Sequence, residues 1–155
     1  MPFELVENKW VDLTSGTWVA GTRTALGSPI QTHGAKSLLV GYTFTTHATT
    51  FNNINIEAEG GDNIVVAAGT EWYRLCSSAF ASPSTFLVAS QTGPGRLDFV
   101  GFALAITYRV AFQIQTFGFP QIRLYGTQST NVNTANTFKI MRTDTFNPGT
   151  LGGGF

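Results

Sequence analysis

Charged side chains are scarce in this chain of 155 residues, where they make up 12% of the sequence. An average globular domain contains roughly 25%. Lysine and arginine together number nine, as do aspartate and glutamate, so the formal net charge is zero. No basic cluster is present, and we therefore expect no binding to a nucleic-acid backbone. A neutral, charge-poor surface repels other molecules weakly, which favours a subunit held in an assembly over a free monomer.

Cysteine and histidine are almost missing as well. Cys76 is the single cysteine, so no internal disulfide can form and a disulfide-stapled secreted scaffold is excluded. The two histidines, His33 and His47, have no cysteine or carboxylate at ligand spacing. A metal site needs three or four converging ligands, so we predict no metal and no cofactor.

Targeting segments are also not apparent. Residues 1 to 20 lack a basic start followed by an apolar run, so no signal peptide is predicted. No stretch of 18 apolar residues occurs, so no membrane-spanning segment and no membrane partner are expected.

No catalytic constellation is recognisable. No catalytic signature surrounds Cys76, and the Gly93-to-Arg96 segment lacks the spacing of a phosphate-binding loop. Glu57 and Glu59 share one strand face about 7 Å apart, and glycosidases use paired carboxylates. Alternation places this pair beside Asn53 and Asn55, which predicts a solvated face. We therefore expect a protein that is not an enzyme, although Cys76 and the glutamate pair leave that class open.

The chain is rich in threonine, glycine and phenylalanine, with 22, 17 and 13 copies. Threonine and phenylalanine favour strands, and glycine favours tight turns. Hydrophobic residues alternate with polar ones along several segments, which indicates strands with one buried face. The Gly60-to-Asn63 segment predicts a hairpin turn. The other predicted strands are 36–45, 53–59, 64–67, 71–75, 121–125 and 137–142, with a short candidate at 86–88; residues 97–99 lead into the clearest strand.

The clearest strand runs from Phe102 to Gln115. Seven apolar residues occupy every second position from Phe102 to Ile114, which no helix would gather on one face. The strand ends before Gly118 and Pro120, and it either spans the domain or bends near Gly101. About eight or nine strands separated by turns predict a single antiparallel β-sandwich, all-β and jelly-roll-like.

We divide the chain into an N-terminal arm (1–16), a sandwich domain (17–147) and a glycine-rich C-terminal tail (148–155). The 76–96 segment is predicted to be a long loop, and such loops are often functional. Aromatic residues at the ends of the chain, with Trp72 or its neighbour Tyr73 facing outward, would anchor contacts. Arg109 lies on a small-residue face and needs a partner, either across its sheet or on another subunit. The candidate subunit-interface residues are therefore Phe3, Trp10, Trp72, Arg109 and Phe155.

The chain as a whole resembles the small β-sandwich structural proteins of tailed-phage virions in architecture and composition. The resemblance implies a capsid decoration (cement) protein in the virion, assembled in the host cytoplasm. Its partners would be further copies of itself and the major capsid protein or another virion subunit. A tail or baseplate accessory subunit is one alternative. A lectin-like module that binds carbohydrate through the 76–96 loop and outward aromatics is another.

Overall fold

The structure is a computed structural model, and it is all-β. It describes residues 9–13, 18–45, 52–63, 69–75, 80–81, 89–90, 96–101, 106–128 and 135–145, with only the backbone for 52–53, 80–81, 89–90, 96–101 and 135. No helix occurs in these ranges. The twelve strands are β1 (Val11–Leu13), β2 (Thr24–Ala25), β3 (Ile30–Gln31), β4 (Ser37–Thr45), β5 (Asn52–Gly61), β6 (Trp72–Arg74), β7 (Phe80–Ala81), β8 (Ala89–Ser90), β9 (Arg96–Gly101), β10 (Thr107–Gln115), β11 (Gln121–Gln128) and β12 (Ala135–Thr143).

The strands form two antiparallel sheets. Sheet 1 has the order β1-β12-β4-β10-β7. Sheet 2 has the order β2-β11-β5-β9-β8, with β3 also pairing with β11 and β6 also pairing with β5. The inner faces of both sheets contribute to one hydrophobic core. The predicted antiparallel β-sandwich is thereby confirmed.

Alternating side chains explain why these segments are strands. In β4, every second residue from Leu38 to Phe44 is fully buried. In β10, the predicted inner face is confirmed from Tyr108 to Ile114, and it lies in register with β4 from Phe44 to Leu38. The ring of Tyr42 stacks on that of Phe138 at 4.3 Å between centroids. Burying one face of each strand in this way removes apolar surface from water and holds the sheets together.

The long predicted strand starts later than expected. Strand β10 begins at Thr107, and Ile106, predicted to face the core, is 41% exposed. The preceding strand β9 ends at Gly101 and belongs to sheet 2. The chain therefore changes sheets between Gly101 and Thr107, and residues 102–105 lie outside the described part. The apolar alternation continues through this crossing, so the pattern alone could not locate it.

The predicted turn at Gly60 and Gly61 is wrong, because both residues lie inside β5. They pair with Tyr73 and Trp72 of β6, and the turn begins only at Asp62. A Cβ atom at Gly60 would lie 2.3 Å from the Phe119 ring, and one at Gly61 would lie 2.7 Å from the Trp72 ring. Glycine is present here because aromatic rings cover the strand closely. The predicted return strand 64–67 lies outside the described residues.

The segment predicted to be an arm contains a strand. Val11–Leu13 pairs antiparallel with β12 and forms one edge of sheet 1. Residues 1–8, 14–17 and 146–155 lie outside the described part, so the arm and tail boundaries stay predictions. The 76–96 segment is also more than a loop, because β7 pairs with β10 and β8 pairs with β9. The candidate strand at 86–88 is not among the described residues.

Candidate interaction surfaces

The three candidate interface residues that the structure describes lie on the outer faces of the two sheets. Trp72 lies on sheet 2, whereas Trp10 and Arg109 lie together on sheet 1. Phe3 and Phe155 lie outside the described residues, as do Cys76 and His47. His33 is exposed in a turn, and its φ of 49° is tolerated there next to Gly34.

Arginine and aromatic side chains alternate across the outer face of sheet 2. The guanidinium carbon of Arg123 lies 4.0 Å from the Trp72 ring centroid and 5.5 Å from that of Tyr125. The guanidinium carbon of Arg23 lies 3.5 Å from the Tyr125 ring centroid. Attraction between the cations and the ring faces holds these side chains in one row, which we call the arginine–aromatic row.

The two glutamates of β5 lie beneath this row, and their predicted exposure to solvent is wrong. Glu57 is only 9% exposed and accepts hydrogen bonds from Arg23 (3.1 Å) and Arg74. Glu59 is half-buried and accepts bonds from Arg23 (3.2 Å) and Arg123 (2.6 Å). They do lie on the outer face, as the alternation requires, but the arginines cover them. Each carboxylate accepts hydrogen bonds from two guanidinium groups, so Glu57 and Glu59 belong to a structural network of ion pairs.

Sequence reasoning missed the three arginines and Tyr125 of this network. One signal was available, because Arg123 and Tyr125 have the same spacing of two as Glu57 and Glu59. In the sheet, Arg123 pairs with Glu59 and Tyr125 pairs with Glu57. The register between β5 and β11 was not evident from either strand alone. Trp72 is half-buried beneath Arg123 and against Gly61, which gives its ring an intramolecular role.

Tyr73 points away from this network and is 46% exposed. Its ring stacks with that of Phe119 at 5.9 Å between centroids. Its hydroxyl donates a 2.6 Å hydrogen bond to the Glu71 carboxylate. This bond and the negative charge of Glu71 raise the pKa of Tyr73 above its ordinary value. By register, Trp72 lies on the outer face with Gly61 and Tyr73 lies on the opposite face with Gly60, so the predicted alternation of this pair is present, and both residues keep some exposure.

Replacing Glu71 with glutamine should lower the pKa of Tyr73 towards the ordinary value. The raised pKa means that folding favours the neutral phenol, so this contribution to stability is present at low pH and is lost as the pH rises through the pKa of the folded protein. Ultraviolet titration of the phenolate measures the shift. The Tyr73→Phe variant identifies the Tyr73 transition among the four tyrosines. An unchanged transition in Glu71→Gln would contradict the assignment.

The outer face of sheet 1 has a shallow pocket of about 250 Å³, which we call the Trp10 pocket. Trp10 is 43% exposed, and its ring lies over Gly41 of β4. Arg109 of β10 and Lys139 of β12 are exposed on either side of β4. The described residues that line the pocket include Trp10, Gly41, Thr43, Arg109, Thr137 and Lys139.

Neither cation of the Trp10 pocket forms an ion pair within the described part of the chain. Arg109 lies opposite Thr43 in the sheet, and no described side chain forms an ion pair or hydrogen bond with it. Cross-strand pairing was one explanation offered by the sequence for Arg109, and no such bond exists among the described residues. Its other explanation, a partner on a neighbouring subunit, stays a prediction.

A larger cleft of about 840 Å³ separates the edges of the two sheets. Its walls include β1 and Ile140 of sheet 1 and the β2–β3 segment of sheet 2. Arg142 of β12 spans the gap, because its Nε donates a 2.8 Å hydrogen bond to the carbonyl of Gln31. The strands β1, β2 and β3 that border the cleft lie at sheet edges, where backbone groups are available for pairing.

Within the described ranges, no group of three histidine, cysteine or acidic side chains converges on a point where a metal could bind. No helix in those ranges is long and apolar enough to cross a bilayer. Comparisons with protein-family models, curated proteins and solved structures find no match for this chain.

Proposed function

We propose that this protein is a non-enzymatic structural subunit of a virion, a capsid decoration protein that stabilises a phage head. The Trp10 pocket is the observation that carries the proposal. In this pocket a half-exposed tryptophan lies beside two cations on a sheet face of small residues. This composition is typical of a contact site, because Trp and Arg contribute most of the binding energy at protein interfaces. The charge-poor surface of the chain agrees with a role inside an assembly.

The strand order supports a jelly roll as the detailed topology. In sheet 1, β1 pairs with β12 and β4 pairs with β10; in sheet 2, β2 and β3 pair with β11 and β5 pairs with β9. Strands from the start of the chain thus pair with strands from its end, and each pair lies inside the previous one, as in a single long hairpin. The additional pairs β12–β4 and β11–β5 correspond to that hairpin rolled on itself. Jelly rolls occur in viral capsid proteins and in lectins, so this order suits the proposal and its rival.

The carbohydrate-binding alternative lacks the platform it would use on sheet 2. A sugar stacks on an exposed aromatic face, but Arg123 and Gly61 contact the Trp72 ring. Trp10, Tyr73 and Phe117 remain as exposed aromatics among the described residues. Titration with neutral sugars tests this rival, since a decoration protein does not require sugar binding. A tail or baseplate subunit would use the same pocket, and electron microscopy of the assembly separates a ring from a capsid lattice.

The Trp10→Ala/Arg109→Gln variant should lose assembly while it keeps its fold. We expect the wild-type chain to form a regular ring or to coat a capsid, as seen by light scattering and negative-stain microscopy. Removing a hot-spot side chain costs about 2 kcal/mol or more, so binding should weaken by about 30-fold. Thermal unfolding should change little, because both side chains are exposed.

The control is Phe117→Ala, which removes a side chain that is 51% exposed and does not line the Trp10 pocket. It should assemble like the wild type. Deletion of residues 1–8 tests the arm separately and spares β1, which a deletion to residue 12 would disrupt. A wild-type chain that stays monomeric and coats no particle would refute the virion role.

A further inference from the structure

We infer that the Trp10 pocket receives a carboxylate from an acidic side chain of the neighbouring virion subunit. This inference rests on the proposed function, because it names the chemistry of the partner at the same surface. The partner is a protein whose contact segment has an acidic residue next to an apolar one.

The described arginines differ in whether an acceptor within the chain binds them. On sheet 2, Arg23, Arg74 and Arg123 are all bound to Glu57 or Glu59. Arg142 donates to a backbone carbonyl. Arg109 differs from these four described arginines, since no described group accepts a hydrogen bond from it. In a chain with so few charges, an arginine without an acceptor among the described residues suits an acceptor on another molecule.

The sheet register places the second cation on the opposite side of the same pocket. Arg109 pairs with Thr43, which pairs with Thr137. Two residues along β4, Gly41 pairs with Lys139. The strands β10 and β12 that carry the cations flank β4, so their backbones lie about 10 Å apart. Long side chains on both can reach one group above β4, where Gly41 and Thr43 leave room.

The tryptophan supplies the apolar part of the site. One region of the Trp10 ring lies over Gly41, and 43% of the residue remains exposed. An apolar side chain of the partner would cover this surface while its acidic neighbour lies between Arg109 and Lys139. Two cations suit a single carboxylate. They are too few for a polyanion, since Asp12 is the sheet partner of Lys139 and lowers the positive potential.

Binding can be measured on the full chain through the indole N–H signals of its three tryptophans in a proton–nitrogen correlation spectrum. The probe is a blocked peptide of alternating glutamate and leucine. We expect a saturable shift of the Trp10 signal, assigned with Trp10→Phe, and a dissociation constant on the order of 1 mM. Arg109→Gln and Lys139→Gln should each weaken binding at least fivefold. Lys139→Arg should retain binding, and added salt should weaken it.

The same peptide with glutamine in place of glutamate is the matched control and should not bind. The inference is overturned if that control binds equally, if no shift occurs, or if N-acetylneuraminic acid binds more tightly than the peptide. The last result would also favour the carbohydrate-binding rival. If assembly requires Trp10 but survives Arg109→Gln with Lys139→Gln, the carboxylate inference fails and the virion role stands.

Discussion

Replacing Gly126 with alanine should lower the free energy of unfolding by about 3 kcal/mol. Gly126 lies on the inner face of β11, where a Cβ atom would come within 2.1 Å of the Trp18 ring. Trp18 is 7% exposed, and its ring stacks on that of Phe138 at 6.1 Å between centroids. The ring cannot move aside without disturbing this stack, so the added methyl group must displace core atoms.

A double-mutant cycle with Trp18→Ala isolates the clash. Trp18→Ala alone should cost about 3 to 5 kcal/mol, because it leaves a cavity in the core. In that background, Gly126→Ala should cost less than about 1 kcal/mol, since the ring that it would meet is gone. The coupling between the two sites should therefore reach about 2 kcal/mol. Chemical denaturation followed by circular dichroism measures all four proteins.

The matched control is Gly41→Ala on the outer face of β4. A Cβ atom there would lie 3.5 Å from the Trp10 ring, an ordinary contact distance. This variant should be neutral or stabilising by about 0.5 kcal/mol, because alanine loses less backbone entropy than glycine in a strand. An equal cost of Gly126→Ala with and without Trp18 would contradict the close approach of the ring.

The local pattern was sufficient for the strands with one clean buried face. Alternation in β4, β5, β11 and β12 follows directly from burial on one side, and their predicted positions are close to the observed ones. Gly60 and Gly61 were misassigned because the reason for them is distant in the chain. The ring that covers Gly60 belongs to Phe119, and no local rule connects the two residues.

The candidate site was predicted in separate pieces. Trp10 and Arg109 were identified one by one, as an aromatic in an arm and as an arginine without an evident partner. Only the pairing of β4 with β10 and β12 brings them together with Lys139. The burial of Glu57 could not be predicted from its own strand either, because it depends on Arg23 and Arg74. Side-chain pairs across strands require the register, which a single sequence does not specify.

A polar cluster at one end of the core also depends on register. The Oδ1 atom of Asn136 accepts hydrogen bonds from the Tyr42 hydroxyl and, at 3.0 Å, from Nε2 of Gln128. Tyr42 and Gln128 are both fully buried. Asn136 thus joins β4 of sheet 1 to β11 of sheet 2 through β12. A buried donor that loses its acceptor costs about 1 to 3 kcal/mol.

Replacing Asn136 with alanine should therefore lower the free energy of unfolding by about 1 to 3 kcal/mol, because it removes an acceptor that two buried donors share. In a Tyr42→Phe background the same change should cost about 1 kcal/mol less, since one of the donors is already absent. Thr137→Ala is the control, because the adjacent side chain faces outward and should change stability by less than about 0.5 kcal/mol. Denaturant titration of these variants gives the values. Strictly additive costs of Asn136→Ala and Tyr42→Phe would show that the bond between them contributes nothing to the stability of the sandwich.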